Sequence, residues 1–276
     1  MRHLLRLTDL QPGEIHEIFH LADEIHEGKY RDALSGKSVV LFFPGASIRT
    51  RVTFEKGIYL LGGQAILFPS ETLDKKEEIR DVCGYLDNWA DMLIVRHRDM
   101  ELLEKVAKYS AVPVINAMTD INHPCEILSD LYALSKIRED FAADKYLFCG
   151  KAGNIGLTWR EAARIMGLDL AQCCAAGYEM EGVPVFRNIM EAVRGRDIIC
   201  TDSLPAEAVK DFRECQVTKE AMESANSGAI LNPCPPFYRG EEVSEEVMGS
   251  PCFVGYGFKK HLLTVQQAIM LYCLSE

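Results

Sequence analysis

The residues of this chain best suited to chemistry lie in Phe43-Pro44-Gly45-Ala46-Ser47-Ile48-Arg49-Thr50-Arg51-Val52-Thr53-Phe54-Glu55. The segment follows the apolar run Ser38-Val39-Val40-Leu41-Phe42 and leads into helical periodicity. A Pro-Gly turn between strand and helix sets hydroxyls, guanidiniums and free backbone N–H groups at a helix start, which suits a dianion. Arg49 can fork across two phosphate oxygens, and Ser47 and Thr50 add donors that a lysine-only site lacks. From these residues alone two readings stand open: a phosphate cradle, or a capped helix with solvated arginines. No Gly-Lys-Ser/Thr closes the segment, so it is not a P-loop.

Two other motifs invite chemistry. His16-Glu17-Ile18-Phe19-His20 has the His-Glu-x-x-His spacing, which on a helix can hold zinc, against which stands a pair of surface histidines. Gly150-Lys151-Ala152-Gly153-Asn154-Ile155-Gly156 sits where a dinucleotide fingerprint would, between strand and helix, but its glycines are spaced Gly-x-x-Gly-x-x-Gly. Glu179 comes late for the acid that such a site needs. Cys173-Cys174, inside an apolar strand, reads as core packing.

Composition narrows the class. A chain of 276 residues is long enough for two modest cores. Its 41 acidic and 30 basic residues give a net charge of −11, which argues against nucleic acid and against anionic membrane. Such a protein must gather positive charge locally to handle a phosphate, and Arg49, Arg51, Lys75, Lys76, Arg80, Arg96 and Arg98 are available. Met1-Arg2-His3-Leu4-Leu5-Arg6 has no apolar h-region, and no apolar run approaches membrane-spanning length. Ten cysteines without a signal peptide or a Cys-x-x-Cys pair point to reduced thiols in the cytoplasm, with no structural zinc.

The elements that must position these residues alternate. Helical stripes are expected over 14–27, 50–61, within 75–90, and over 100–109, 125–138, 158–166, 189–193, 219–225 and 261–274. Strands are expected over 39–43, 65–68, 92–95, 112–116, 146–149, 171–175, 197–201 and 230–231. This order predicts α/β architecture, two lobes of parallel sheet covered by helices on both faces and joined near 131–145.

Ser47-Ile48-Arg49-Thr50-Arg51 resembles the Ser-Thr-Arg-Thr-Arg signature of the aspartate/ornithine carbamoyltransferase superfamily, and x-Thr/Ser-Phe-Glu follows as in that family. Three more blocks occur in the family's order: Lys76-Glu77-Glu78-Ile79-Arg80-Asp81, Val95-Arg96-His97, and His123-Pro124-Cys125-Glu126 with Asp130-Leu131. The resemblance implies a carbamoyl-phosphate domain over 1–131, with a C-terminal helix at 260–276 packing back on it, and an acceptor domain over 132–259. It implies an active site in the cleft between the lobes. It implies that Ser47, Ile48 (through its N–H), Arg49 and Thr50 bind the donor phosphate, and that Arg96 and His123 polarise the carbamoyl oxygen. It also places Thr72 and Lys76 in a loop that reaches into a neighbouring subunit, and so implies a homotrimer, without cofactor or metal. Helix 14–27 has only a packing role there, which leaves His16 and His20 as surface histidines.

Departures fall mainly on the acceptor side. Asn154 and Asp202 match residues that hold ornithine, yet Asp202-Ser203-Leu204-Pro205 does not continue as Ser-Met-Gly. Leu157 stands where aspartate enzymes need an arginine, and Lys151 replaces an aspartate. Asn232-Pro233-Cys234-Pro235 stands where aspartate enzymes carry His-Pro-Leu-Pro and ornithine enzymes His-Cys-Leu-Pro, and the resemblance sets Cys234 and Pro235 among the substrate-binding residues. In the donor site Glu126 replaces a glutamine, and Leu262 replaces an arginine, with Lys259 and Lys260 nearby. An ionised Glu126 needs a cation, for which Lys76 or the acceptor itself is the expected partner. The expected function is carbamoyl transfer from carbamoyl phosphate to a small amine or amide acceptor that is neither aspartate nor standard ornithine. The alternative is a non-catalytic homologue that binds anions or metabolites.

Overall fold

Apolar runs bounded by turn signals become parallel strands in the computed structural model, which describes residues 2–275. The chain divides into two units, one formed by residues up to Ala133 with those from Lys259 onward, the other by Leu134–Phe258.

The first unit contains α1 (Pro12–His26), β1 (Ser38–Phe42), α2 (Arg49–Leu60), β2 (Gln64–Phe68), α3 (Ile79–Leu86), β3 (Met92–Arg96), α4 (Met100–Tyr109), β4 (Val114–Met118) and most of α5 (Pro124–Ser135). Its four strands lie in the order β2-β1-β3-β4, all parallel. Val39, Leu41, Leu93 and Ile94 are fully buried, as strands covered on both faces require. Leu4 extends the edge, its N–H donating to the Val114 carbonyl and its carbonyl accepting from Asn116.

The second unit contains β5 (Lys145–Cys149), α6 (Asn154–Met166), β6 (Asp169–Cys173), β7 (Val185–Phe186), α7 (Ile189–Ala192), β8 (Ile198–Thr201), α8 (Lys219–Glu223), β9 (Ile230–Pro233), α9 (Glu245–Met248) and α10 (Gly255–Phe258). Its parallel strands run β7-β6-β5-β8-β9. Cys173 and Cys174 are fully buried among Ala171, Ile199 and Leu231, the packing role expected of them. The final helix, α11 (His261–Leu274), belongs to the first unit and packs on α1 and α2. It is buried over most of its length, with Thr264, Gln266 and Gln267 among its apolar residues. A Cβ on Gly57 of α2 would lie 3.1 Å from Gln267 Cγ, so glycine permits that close helix contact.

Several boundaries differ from the expected ones for physical reasons. The strand expected at 112–116 begins at Val114, because Pro113 has no N–H to give the ladder. The helix expected from 125 starts at Pro124, since proline suits the first helical position and its missing N–H costs nothing there. The helix expected from 158 starts at Asn154, so Gly156 lies inside a helix and not in a loop. A Cβ at Gly156 would stand 2.6 Å from Phe148 Cε1, and this tight approach of α6 to β5 explains the glycine better than a dinucleotide does. The short α9, α10 and β7 carry too few residues to show a period. His16 and His20 are exposed on α1.

Candidate active site

In both units the candidate residues follow the carboxyl ends of neighbouring parallel strands, where an open α/β sheet leaves loop backbone and helix starts free to meet a ligand. The loop after β1 carries Ser47 and α2 carries Arg49 and Thr50; Arg96 ends β3; His123 follows β4. The β3–β4 register shifts between Val95 and Arg96, an irregularity that re-aims the arginine at the strand's end.

Arg96 organises the group. Its Nη1 donates to Ser47 Oγ and to Thr50 Oγ1, each at 3.1 Å, and both hydroxyls are buried. Ser47 shares this donor with Thr50 of the first turn of α2, and no side chain caps α2 at Ile48. The first N–H groups of α2 have no intrahelical acceptor. This arrangement favours the phosphate cradle over the capped helix. Arg49 is exposed, and its side chain forms no hydrogen bond or ion pair among the described residues. Arg51 pairs instead with Glu55 one turn along the helix. Ile48 is 71 % exposed and offers only its backbone to a ligand.

His123 and Glu126 are both buried at the start of α5. Burial pushes the His123 imidazole down to about 4, aided by the nearby positive charges of Arg96 and Lys259 and opposed by Glu126. The ring is therefore neutral near pH 7. For Glu126, burial alone would raise the carboxyl, but Lys259 in direct contact, with His123 and Arg49, holds it below its ordinary value. The partner expected for Glu126 was Lys76 or the acceptor; it is Lys259, at 2.8 Å, with Asp130 on the same ammonium at 2.6 Å. Leu262 is buried in α11, while Lys259 just before that helix brings the charge.

The lowered imidazole has a consequence for stability. Between about pH 4 and 6.5 the unfolded chain binds a proton at this histidine that the folded chain refuses. Stability at this position should therefore fall as pH drops through that window, by on the order of 3 kcal/mol at most. Denaturant unfolding of the parent and of His123→Gln across the window checks it, the variant showing the shallower pH slope.

Thr72 and Lys76 are not brought to this group within the chain. Thr72 lies in a 3-10 turn, Ser70–Asp74, and Lys76 is exposed without hydrogen bond or ion pair among the described residues. The loop has an anchor that sequence reasoning missed. Buried His97 accepts the Asp99 N–H at Nδ1, which leaves Nε2 to donate to Asp74 Oδ1 at 3.1 Å. Its position directly after Arg96 was the available signal.

In the second unit Asn154 opens α6, Asp202 follows β8, and Cys234 and Pro235 follow β9. β5, β8 and β9 are neighbours, and a Cβ built on Gly153 would sit 3.9 Å from Asp202 Oδ2. Asp202 Oδ1 accepts the Ser203 N–H, and the Cys234 N–H donates to the Thr201 carbonyl. The Pro235–Pro236 peptide is cis. After Asp202 the chain turns inward, burying Leu204, Ala208 and Phe212.

Residues 2–136 match the carbamoyl-P binding domain of aspartate/ornithine carbamoyltransferase, and residues 143–273 match that family's Asp/Orn binding domain. The chain belongs to the aspartate/ornithine carbamoyltransferase family. It is 31 % identical to an ornithine carbamoyltransferase of Geobacter metallireducens, with 98 % of each chain covered. Among solved structures it is similar to the ornithine carbamoyltransferase of Thermus thermophilus, at 27 % identity and a TM-score of 0.92 over 99 % of both chains. It is also similar to a point mutant of N-acetyl-L-ornithine transcarbamylase complexed with carbamyl phosphate and N-succinyl-L-norvaline, at 26 % identity and a TM-score of 0.88, with 99 % of this chain and 100 % of that one covered. The chain is thus a carbamoyltransferase by family, with a carbamoyl-phosphate-binding domain as its first unit. Among the described residues no helix is long and apolar enough to cross a membrane.

Proposed function

We propose that this chain transfers the carbamoyl group of carbamoyl phosphate to the amino or amide nitrogen of a small acceptor that is neither aspartate nor standard ornithine. The observation that carries the donor half is the Arg96–Ser47–Thr50 constellation beside an α2 start that no side chain caps. Arg49, Ser47, Thr50 and the Ile48 N–H receive the phosphate, while Arg96, Thr50 and neutral His123 face the carbamoyl oxygen. The acceptor nitrogen, uncharged, forms a bond to the carbamoyl carbon, and negative charge gathers on the former carbonyl oxygen. Donors already aimed at that oxygen are worth about 3 kcal/mol each in a water-poor site. The C–O bond to phosphate then breaks, phosphate leaves with the electron pair against Arg49, and it takes up the proton that the nitrogen gives up.

On the acceptor side, Asn154, Asp202, Cys234 and Pro235 line the carboxyl edge of the second sheet. The inward turn of Leu204, Ala208 and Phe212 takes the place of a polar Ser-Met-Gly loop, and Leu157 offers no cation for a second carboxylate. A buried charge left without its partner costs several kcal/mol, about 1–3 even for a neutral polar group. Similarity to relatives named for ornithine and to one named for N-acetyl-L-ornithine is consistent with one fold serving different acceptors. Phosphate release from carbamoyl phosphate over a panel of amines and amides, with a no-acceptor blank, tests both halves. Aspartate and ornithine should stay at the blank while another acceptor rises above it. Turnover of ornithine at ordinary rates would sink the acceptor half, and no turnover with any acceptor would favour the non-catalytic alternative.

The proposal includes a cytoplasmic homotrimer. Ile48, Val52 and Tyr59 share one face of α2 and are 71, 58 and 77 % exposed, an apolar row of the kind that partners cover. Exposed Lys76 would then serve a neighbouring copy. No described cysteine is in a disulfide bond, in keeping with a reducing compartment. Sedimentation should give three times the 31.0 kDa chain mass.

A further inference from the structure

Glu126 and Asp130 stand one turn apart on α5 with 5 and 2 % exposure. Two carboxylates this close and this dry cannot both stay ionised without a cation. Lys259 supplies it, from 133 residues away in sequence, and its own side chain is 18 % exposed. The other charged or titratable groups that act on Glu126 are His123, just before the same helix, and Arg49 from α2; Arg96 of β3 acts on His123. With His123 neutral, Arg49, Arg96 and Lys259 outweigh the two carboxylates by one positive charge. Without Lys259 the charges of Arg49 and Arg96 are matched by those of Glu126 and Asp130.

We propose that Lys259 is a positioning residue for the donor: it holds Glu126 as a hydrogen-bond acceptor for the donor's NH2 group and screens the donor's phosphate from that carboxylate. This rests on the donor-site reading under Proposed function. An ionised carboxylate only accepts hydrogen bonds, so it rewards an acyl phosphate bearing N–H and offers nothing to one bearing a methyl group. A lone glutamate would repel both, because its charge would meet the phosphate across a poorly hydrated gap.

The test is calorimetric titration with inorganic phosphate and with phosphonoacetamide, an NH2-bearing donor analogue that does not hydrolyse. The proteins are the parent, Lys259→Met, Glu126→Gln and the Lys259→Met/Glu126→Gln double variant, at about pH 6 and about pH 8, so that proton uptake by a Glu126 left without Lys259 shows as a pH dependence. The parent should bind both ligands with little change attributable to Glu126. Lys259→Met should weaken both about tenfold or more at the higher pH and less at the lower one, where the unscreened carboxyl takes up a proton. The double variant restores the parent's charge balance and should bind phosphate as the parent does. Glu126→Gln alone leaves Lys259 unopposed by that carboxylate and should tighten phosphate several-fold. Rescue by the second substitution is something a purely structural lysine would not show. Should Lys259→Met not fold, Glu126→Gln and the double variant still decide: unchanged phosphate affinity in the first, or a double variant about tenfold weaker than the parent, overturns the proposal. A parent that binds phosphate but not phosphonoacetamide overturns the proposal alone, and a parent that binds neither overturns the donor-site reading with it.

Discussion

Arg96→Ala lowers turnover by about a hundred- to a thousandfold, the loss that follows removal of a preorganised donor at a developing oxyanion. The expected loss exceeds that of either hydroxyl variant because Arg96 does two things. On the proposed reading it faces the carbamoyl oxygen, and through Nη1 it holds Ser47 Oγ and Thr50 Oγ1 at 3.1 Å each. Removing the guanidinium leaves two buried hydroxyls without that donor, so a stability loss of about 1–3 kcal/mol should accompany the kinetic one. Arg96→Lys keeps the charge but not the fork, and should recover the stability more than the rate. Steady-state kinetics with the best acceptor, beside denaturant unfolding, separates the two effects. A variant with parental kcat would place the oxyanion donors elsewhere.

Arg49→Ala is the contrasting case. Arg49 is exposed and its side chain has no hydrogen bond or ion pair among the described residues, so its loss should leave the unliganded fold as stable as the parent. What it should remove is donor binding. Carbamoyl phosphate at a hundredfold excess over its Kd stabilises a binding protein by about 2.7 kcal/mol. The parent's melting temperature should rise accordingly and that of Arg49→Ala should not. Equal shifts in the two proteins would detach the start of α2 from the donor site. Together the two substitutions distinguish an arginine that builds the site from one that awaits the ligand.

Much of the candidate site was legible in the sequence because its signals are local. The Pro44-Gly45 turn between an apolar run and a helical stripe fixes a strand–loop–helix unit, and with it the company of Ser47, Arg49 and Thr50. His123-Pro124 announces a helix start, since proline belongs at the first helical position. Alternating strand and helix patterns determine parallel sheets, and parallel sheets put every loop that follows a strand on one edge. That chain of reasoning reaches Arg96 and His123 by type and place.

It does not reach their partners. Arg96 meets Ser47 across 49 residues and Lys259 meets Glu126 across 133, and nothing periodic links either pair. The sequence flagged Glu126 as a charge in need of a cation but offered Lys76, which is exposed, in place of Lys259. Residues 259 and 126 meet because α11 packs against α1 and α2 along a largely apolar surface that also buries Thr264, Gln266 and Gln267, which sets the helix start beside α5. Likewise Leu204, Ala208 and Phe212 turn inward after Asp202 because the second unit has apolar space there to fill. Local pattern determines which elements form and in what order; burial of distant apolar faces decides which charges are brought together, and a buried charge takes the partner that packing delivers.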